Sequence, residues 1–323
     1  MQKGEKIKKA ELNMDKLMLS IVVPTYGHEQ YIREALDSIL MQETKYRYEV
    51  LIGEDESPDS TRDILREYEK KYPSVFTIFY RKKNMGARSN VKDLLSRCKG
   101  KYIMHLEGDD FWLDADKIEK QVEFLECHKE YIAVAHNCKV VNKESRPTGE
   151  NYPECKDSEY SLKHYASDIL PGHTATVMYR NCYMNYLFDT CLLKSDLLPG
   201  DRLLYFTLIC NGRIYCMQEC KSAYRYVTDS GTSYSATVHY EYAHMGKWYM
   251  SQIVYAHRIK NDEALRVAKL LYFKNIVHGL RIKQLPFRNI LKEIQKGDIE
   301  YKILFLYIKQ MVNHHIFRKK IWI

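Results

Sequence analysis

Uninterrupted apolar runs long enough to cross a bilayer are absent from this 323-residue sequence, which argues against a membrane-spanning helix. Cys-x-x-Cys pairs are absent too. The nine cysteines stand at 98, 127, 138, 155, 182, 191, 210, 216 and 220, an odd number without the spacing of a zinc site or of a complete disulfide framework. Reduced thiols in a cytosol are the simpler reading. Tryptophan (3) and proline (8) are scarce and no fixed-period repeat is visible, so the chain is neither collagen-like nor of low complexity. The start, MQKGEKIKKAELNMDK, is charged and leads into only LMLSIVV, too short for a secretory signal core. These absences predict a cytoplasmic protein.

Positive charge is missing from the front of the chain. Residues 241–323 carry 16 Lys and Arg against 6 Asp and Glu, so of the overall +8 the first 240 residues contribute −2. A basic footprint for nucleic acid is therefore lacking there, and no nucleic-acid partner is expected.

What is present is an alternation of short apolar runs with amphipathic segments. LSIVVP (19–24), YEVLIG (48–53), VFTIFY (75–80) and KYIMHLE (101–107) read as strands. Between them, residues 29–42 repeat Ile32, Leu36, Ile39 and Leu40 at helical spacing. Ser60-Thr61 opens a second helix, and a third runs through Val91, Leu94 and Leu95 to Lys99-Gly100. Residues 116–128 read as a fourth helix. Parallel neighbours need crossover connections, so this order predicts an open α/β sheet, mostly parallel and flanked by helices. Beyond Tyr131 the pattern predicts strands at 131–137, 174–180, 213–217 and 223–227 and a helix over 201–210. From Glu241 it turns to Tyr-, Lys- and His-rich helices broken at Pro286. The expected organisation is a flexible 1–17, a sheet domain over 18–240 and a helical basic extension over 241–323.

Ligands of such sheets gather beyond the carboxyl ends of the strands. There stand Pro24, Thr25 and Tyr26, then Glu54, Asp55 and Asp59, then Asn84 and Gly86, then Glu107, Asp109 and Asp110. Carboxylates crowded at one edge repel one another, and a hard divalent ion, Mg²⁺ or Mn²⁺, relieves that while carrying a diphosphate. Each position has a plainer reading as well. Asp109 and Asp110 read equally as a solvated turn, and Asp59, Asp114 or Asp116 as helix caps. Tyr26 reads as a stacking or a packing tyrosine, and Gly86 as a ligand approach or a turn. His173 is either an acceptor contact or a structural histidine.

The set VVPTYGHEQYIREALDSIL, EVLIGEDESPDSTRDIL, NMGARSN and GKYIMHLEGDDFW resembles the family 2 glycosyltransferases, which have the GT-A fold, over roughly residues 18–235. The resemblance implies an inverting transfer from a nucleotide-sugar, with UDP the expected nucleotide, to a saccharide or lipid-linked acceptor in cell-surface polysaccharide synthesis. It implies that Pro24, Thr25 and Tyr26 lie beside the base and that Glu54 and Asp55 hold uracil and ribose, with Gly86 in the third matching segment. Asp109 would be the metal ligand, Glu107 would reach ribose or metal, and Asp110 would border the donor sugar. Asp201, in Pro199-Gly200-Asp201, would be the catalytic base, or else an N-cap. AYRYVTDSGTS resembles the loop over the diphosphate, with Val227 where a His is often found and Arg225 and Ser233 as substitutes. Two rivals stay open. A nucleotidyltransferase should carry a Gly-rich basic loop, which PTYGHEQ is not, and Val227 and Glu107 hint at a non-catalytic sugar-nucleotide-binding partner. The basic end, HHIFRKKIWI, reads either as part of a helical cap or as an attachment to the inner face of an anionic membrane through Phe317, Trp322 and their neighbours.

Overall fold

The computed structural model describes residues 16–150, 152–185, 189–194, 196–197, 200–227 and 240–317. Most of the expected flexible start, Pro199, Ser233 and the end from Arg318 lie outside them, as does the side chain of Phe317. Within them, β1 (Leu17–Thr25), α1 (Ile32–Leu40), β2 (Arg47–Glu54), α2 (Thr61–Lys71), β3 (Phe76–Tyr80), α3 (Ala87–Arg97) and β4 (Tyr102–His105) alternate as the periodicity predicts. β5 (Phe111–Trp112), α4 (Lys117–Cys127), β6 (Tyr131–Val141), β7 (Glu159–Tyr160), β8 (Met178–Arg180) and β9 (Arg213–Arg225) complete one mixed sheet. Eight strands lie in the order β3-β2-β1-β4-β8-β6-β9-β5, and β7 is off that path.

β1 is an interior strand, parallel to β2 on one side and to β4 on the other. Met18 through Val23 are all buried, as expected of a parallel strand covered on both faces. α1 lays Ile32, Leu36 and Ile39 on the same core, each burial stabilising by roughly 1.5–3 kcal/mol. β2 and β3 are parallel as well, so the four strands with acidic or glycine-bearing ends all point the same way. Beyond β4 the sheet changes sense, because β8 is antiparallel to both β4 and β6.

The later strands depart from the sequence pattern. Residues 174–176 form a 3₁₀ turn, and only Met178–Arg180 is strand. The two strands expected at 213–217 and 223–227 are one thirteen-residue strand, β9, parallel to β6. Gln218, Glu219 and Cys220 broke the apolar pattern because they are exposed, and register shifts around Asn137 absorb the irregularity without ending the ladder. β6 itself runs on to Val141.

Contacts divide the chain into two compact units, and the division is not a single cut near 240. One unit comprises 1–159, 171–188 and 212–237, and the other 160–170, 189–211 and 238–323. The second unit is helical, with α5 (Leu162–Ala166), α7 (Gly200–Asn211), α8 (Tyr242–Arg258), α9 (Asp262–Arg281), α10 (Ile290–Lys296) and α11 (Tyr301–Phe317), α6 being the short Cys182–Asn185 turn of the first. Its core buries Tyr165, Phe206, Trp248, Tyr255 and Tyr272. The Asn261 side chain accepts the Ala264 N–H at 3.0 Å to start α9. The Tyr165 hydroxyl donates to Gln252 at 3.1 Å, and Asn211 donates to the Tyr255 hydroxyl at 2.7 Å. Residues 160–170 and 189–211 thus find partners in the helices after 240, which local periodicity cannot reveal.

Gly100 lets the turn before β4 meet the β1 backbone. Its N–H donates to the Ser20 hydroxyl at 2.8 Å, and a Cβ there would stand 2.4 Å from the Ser20 backbone nitrogen. Because the obstacle is main chain, Gly100→Ala is expected to cost about 1–3 kcal/mol by overpacking, read as a lower urea midpoint with an unchanged m-value.

Candidate active site

The parallel ladder carries the acidic segment past the end of β4. The Leu106 and Gly108 N–H groups donate to the carbonyls of Val22 and Pro24 at 3.0 and 3.2 Å, which holds Glu107 to Asp109 beside Pro24, Thr25 and Tyr26. Only glycine fits at 108. A Cβ would lie 2.6 Å from both Thr25 Oγ1 and His28 Nδ1, two atoms that are themselves 3.0 Å apart.

Glu54 and Asp55 both engage their own chain. Glu54 Oε1 accepts the Ser57 N–H at 2.6 Å, and Oε2 accepts from Arg62 Nε at 2.6 Å. Asp55 accepts the Met85 and Gly86 N–H groups at 2.9 and 3.0 Å, one on each oxygen. Both acids are buried, so they set the shape of the two loops at this edge. Gly86 adopts φ 83° at the mouth of α3, a left-handed conformation that glycine takes without penalty. Asp59 shares in starting α2 through the Thr61 N–H (3.0 Å) and hydroxyl (2.6 Å). Asp114 and Asp116 instead grip the buried Lys221 ammonium at 2.6 and 2.7 Å.

Asp110 is the most deeply buried acid of the segment. It is 2% exposed, and burial first, then the charges of Asp109 and Glu107, push its pKa well above the ordinary carboxylate value. Its Oδ1 accepts the Arg225 N–H at 2.8 Å. Its Oδ2 lies 3.4 Å from His173 Nδ1. That nitrogen accepts the Ala175 N–H at 3.3 Å and so carries no proton of its own, and burial pulls the imidazole pKa down to about 4. The neutral form of Asp110 brings a proton to this acceptor-rich corner, a place that a divalent cation could also take.

Glu107 completes the set. Thr174 donates its hydroxyl to Glu107 Oε1 at 2.8 Å, and one ligand atom each from Glu107, Asp110 and His173 lie within 4.8 Å of one another. Two acids and a neutral imidazole suit a divalent ion, so these residues fit the metal that the resemblance implies. Asp109, the expected ligand, is not in that set. Its carboxylate stands 3.9 Å from His28 Nε2 and is 19% exposed.

Arg225 braces the segment through its guanidinium. Its guanidinium is 2% exposed. Nε donates to the Asp109 carbonyl at 2.8 Å, Nη1 to the carbonyls of Asn142 and Lys143 at 2.9 and 3.2 Å, and Nη2 to Glu34 at 2.6 Å. The Tyr31 ring covers it at 4.3 Å. His173 in turn stacks on Tyr224, with centroids 4.3 Å apart, and meets the edge of Tyr152 at 5.3 Å. Sequence reasoning missed Glu34, Arg62 and the pairing of His173 with Asp110; only the E-G-D-D cluster itself gave any local signal. Asp201 lies in the first turn of α7, half-buried, in the helical unit.

The model of glycosyl transferase family 2 matches residues 20–184, just over half of the chain. An uncharacterized protein of Mycobacterium tuberculosis is 33% identical over 215 residues, covering 64% of this chain and 58% of that protein. The chain therefore spans less than two thirds of this relative's length. The Escherichia coli UDP-Glc:alpha-D-GlcNAc-diphosphoundecaprenol beta-1,3-glucosyltransferase WfgD is 33% identical over 112 residues, 35% of this chain and 42% of that one. Among solved structures, TarS 1–349 of S. aureus in complex with UDP-GlcNAc superposes with a TM-score of 0.64 at 17% identity, covering 89% of this chain and 83% of that one, a likeness of fold. The α/β sheet with its converging acidic strand ends and the matched residues agree: this chain belongs to glycosyl transferase family 2.

Proposed function

We propose that the chain is a metal-dependent, inverting glycosyltransferase that moves a sugar from a UDP-sugar to a saccharide or lipid-linked acceptor in cell-surface polysaccharide synthesis. The observation that carries this reading is the convergence of Glu107 and His173 on the buried Asp110, with one ligand atom of each within 4.8 Å of the others, a set able to hold a cation. The nucleotide and acceptor classes are suggested by the UDP-sugar and the lipid diphosphate in the E. coli relative's name and by the UDP-GlcNAc in the TarS complex.

Glu107, Asp110 and His173 would hold Mg²⁺ or Mn²⁺, with Asp109 the half-buried carboxylate of the same segment. The ion would supply Lewis-acid neutralisation of charge on the departing nucleoside diphosphate. Pro24, Thr25 and Tyr26 would flank the base. Glu54 and Asp55 would serve the nucleotide by holding the Ser57 and Met85–Gly86 loops in place, and Arg225 by fixing the Asp109–Asp110 backbone. Asp201 would take the acceptor hydroxyl's proton as general base, in a single displacement whose rate owes much to the alignment of donor and acceptor.

The pH dependence follows from Asp110. A raised pKa means that its neutral form suits the fold, so apo stability falls as pH rises above the ordinary carboxylate value, and a divalent ion takes over the proton's place. Mn²⁺ is therefore expected to raise the melting temperature more at pH 8 than at pH 6. Saturation with UDP at about 100 times its Kd should add roughly 2.7 kcal/mol, read by thermal shift, only when the ion is present. Asp110→Asn is expected to melt above the wild type without metal and to lose the Mn²⁺ response. A full Mn²⁺ response in that variant would remove the ligand assignment, and the same measurement on Asp109→Asn places or dismisses that residue.

Asp201→Asn is expected to lower turnover with a UDP-sugar by about 10²–10⁴-fold while leaving the UDP and Mn²⁺ thermal shifts intact. Near-wild-type turnover would transfer the base role elsewhere.

A further inference from the structure

α11 carries its apolar residues on the wrong side for a helix that only caps a core. Ile303 and Tyr307, one turn apart, face α9; Ile303 is 2% exposed, and the Tyr307 ring meets the edge of Phe273 at 5.4 Å. At about 100° per residue, Tyr301, Leu304, Phe305 and Ile308 share the opposite side, at i, i+3, i+4 and i+7. They are 78, 46, 68 and 50% exposed. Contiguous apolar stripes of this kind on a water-exposed helix mark an interaction surface. One turn apart in the preceding segment, Phe287 and Leu291 are 84 and 73% exposed beside the exposed Arg288 and Lys292.

The charges say what covers the stripe. Lys302 and Lys309, seven residues apart and both exposed, border it on one side. From Tyr301 to the last residue the sequence has five Lys and Arg and no Asp or Glu. A second copy seated on this face would bring Lys302 and Lys309 against their own counterparts. An anionic bilayer instead offers negative headgroups to the lysines and acyl chains to the aromatic and aliphatic side chains. No helix among the described residues is long and apolar enough to cross a membrane, so contact would be interfacial, with α11 in the plane of the headgroups.

We propose that the Tyr301/Leu304/Phe305/Ile308 face of α11, with Lys302 and Lys309 beside it, docks on an anionic phospholipid surface. The inference does not rest on the transferase reading, and turnover of a water-soluble acceptor would not report on it. Its test is flotation of the full chain with vesicles of phosphatidylcholine alone or with about one third phosphatidylglycerol, at low and at about 0.5 M salt. Binding is expected only to the phosphatidylglycerol vesicles, and weaker at high salt. Lys302→Ala/Lys309→Ala should lower partitioning about 30-fold, since each lysine near such a surface contributes about 1 kcal/mol. Phe305→Ser/Ile308→Ser should lower it at least about tenfold. All four positions are exposed, so far-UV circular dichroism and melting temperature should match the wild type. Flotation of either double variant at the wild-type level overturns the proposal, as does absence of flotation with phosphatidylglycerol. So does a lipid-free dimer, seen by light scattering, that Phe305→Ser/Ile308→Ser dissolves, because the face would then belong to a second copy.

Discussion

The contact between the Arg225 guanidinium and the Asp109–Asp110 segment is the constraint on which the site depends. A charge enclosed to this degree costs several kcal/mol unless every direction of its hydrogen-bonding fork is answered. Here the answers come from Glu34 on α1, from the Asn142–Lys143 turn after β6 and from the Asp109 carbonyl. Three segments distant in sequence therefore meet at one cation, and the acidic turn inherits their rigidity. The Arg225 N–H, donated to Asp110, finishes the arrangement. Arginine is suited to it because its planar fork spans several acceptors at once and keeps its charge when buried.

Rigidity on that side keeps the groups on the other side together. Asp110 and His173 are pressed together without a cation of the protein between them, and Glu107 adds a second carboxylate. A flexible turn would let these groups swing into water. Held by Arg225 and by the Thr174 hydroxyl, they stay convergent instead of forming a solvated acidic loop.

Much of this was legible in the residues. The order of β1, β2, β3 and β4 and the helices between them follow from period alone, because each strand is an apolar run and each helix a stripe. That the acids gather at one edge follows from parallel strands needing crossovers. The plainer alternative was partly right, since Asp59 does help to start α2, whereas the loop bonds of Glu54 and Asp55 had no local signal. Less legible was everything that depends on a partner far along the chain. Asp116 does stand at the N-cap of α4 but, with Asp114, turns its carboxylate to Lys221, and β9 read as two strands because its exposed middle hides a continuous ladder.

The sequence by itself determined the fold class, the parallel half of the sheet and the E-G-D-D segment at its edge, because helical and strand periods and strand-end chemistry are local properties. Only the tertiary structure brought His173 beside Glu107 and Asp110, gave the Arg225 guanidinium its acceptors on three segments, and joined residues 160–170 and 189–211 to the C-terminal helices. Those outcomes depend on which side chains are excluded from water together, and burial of one group against another is fixed only once distant segments have packed.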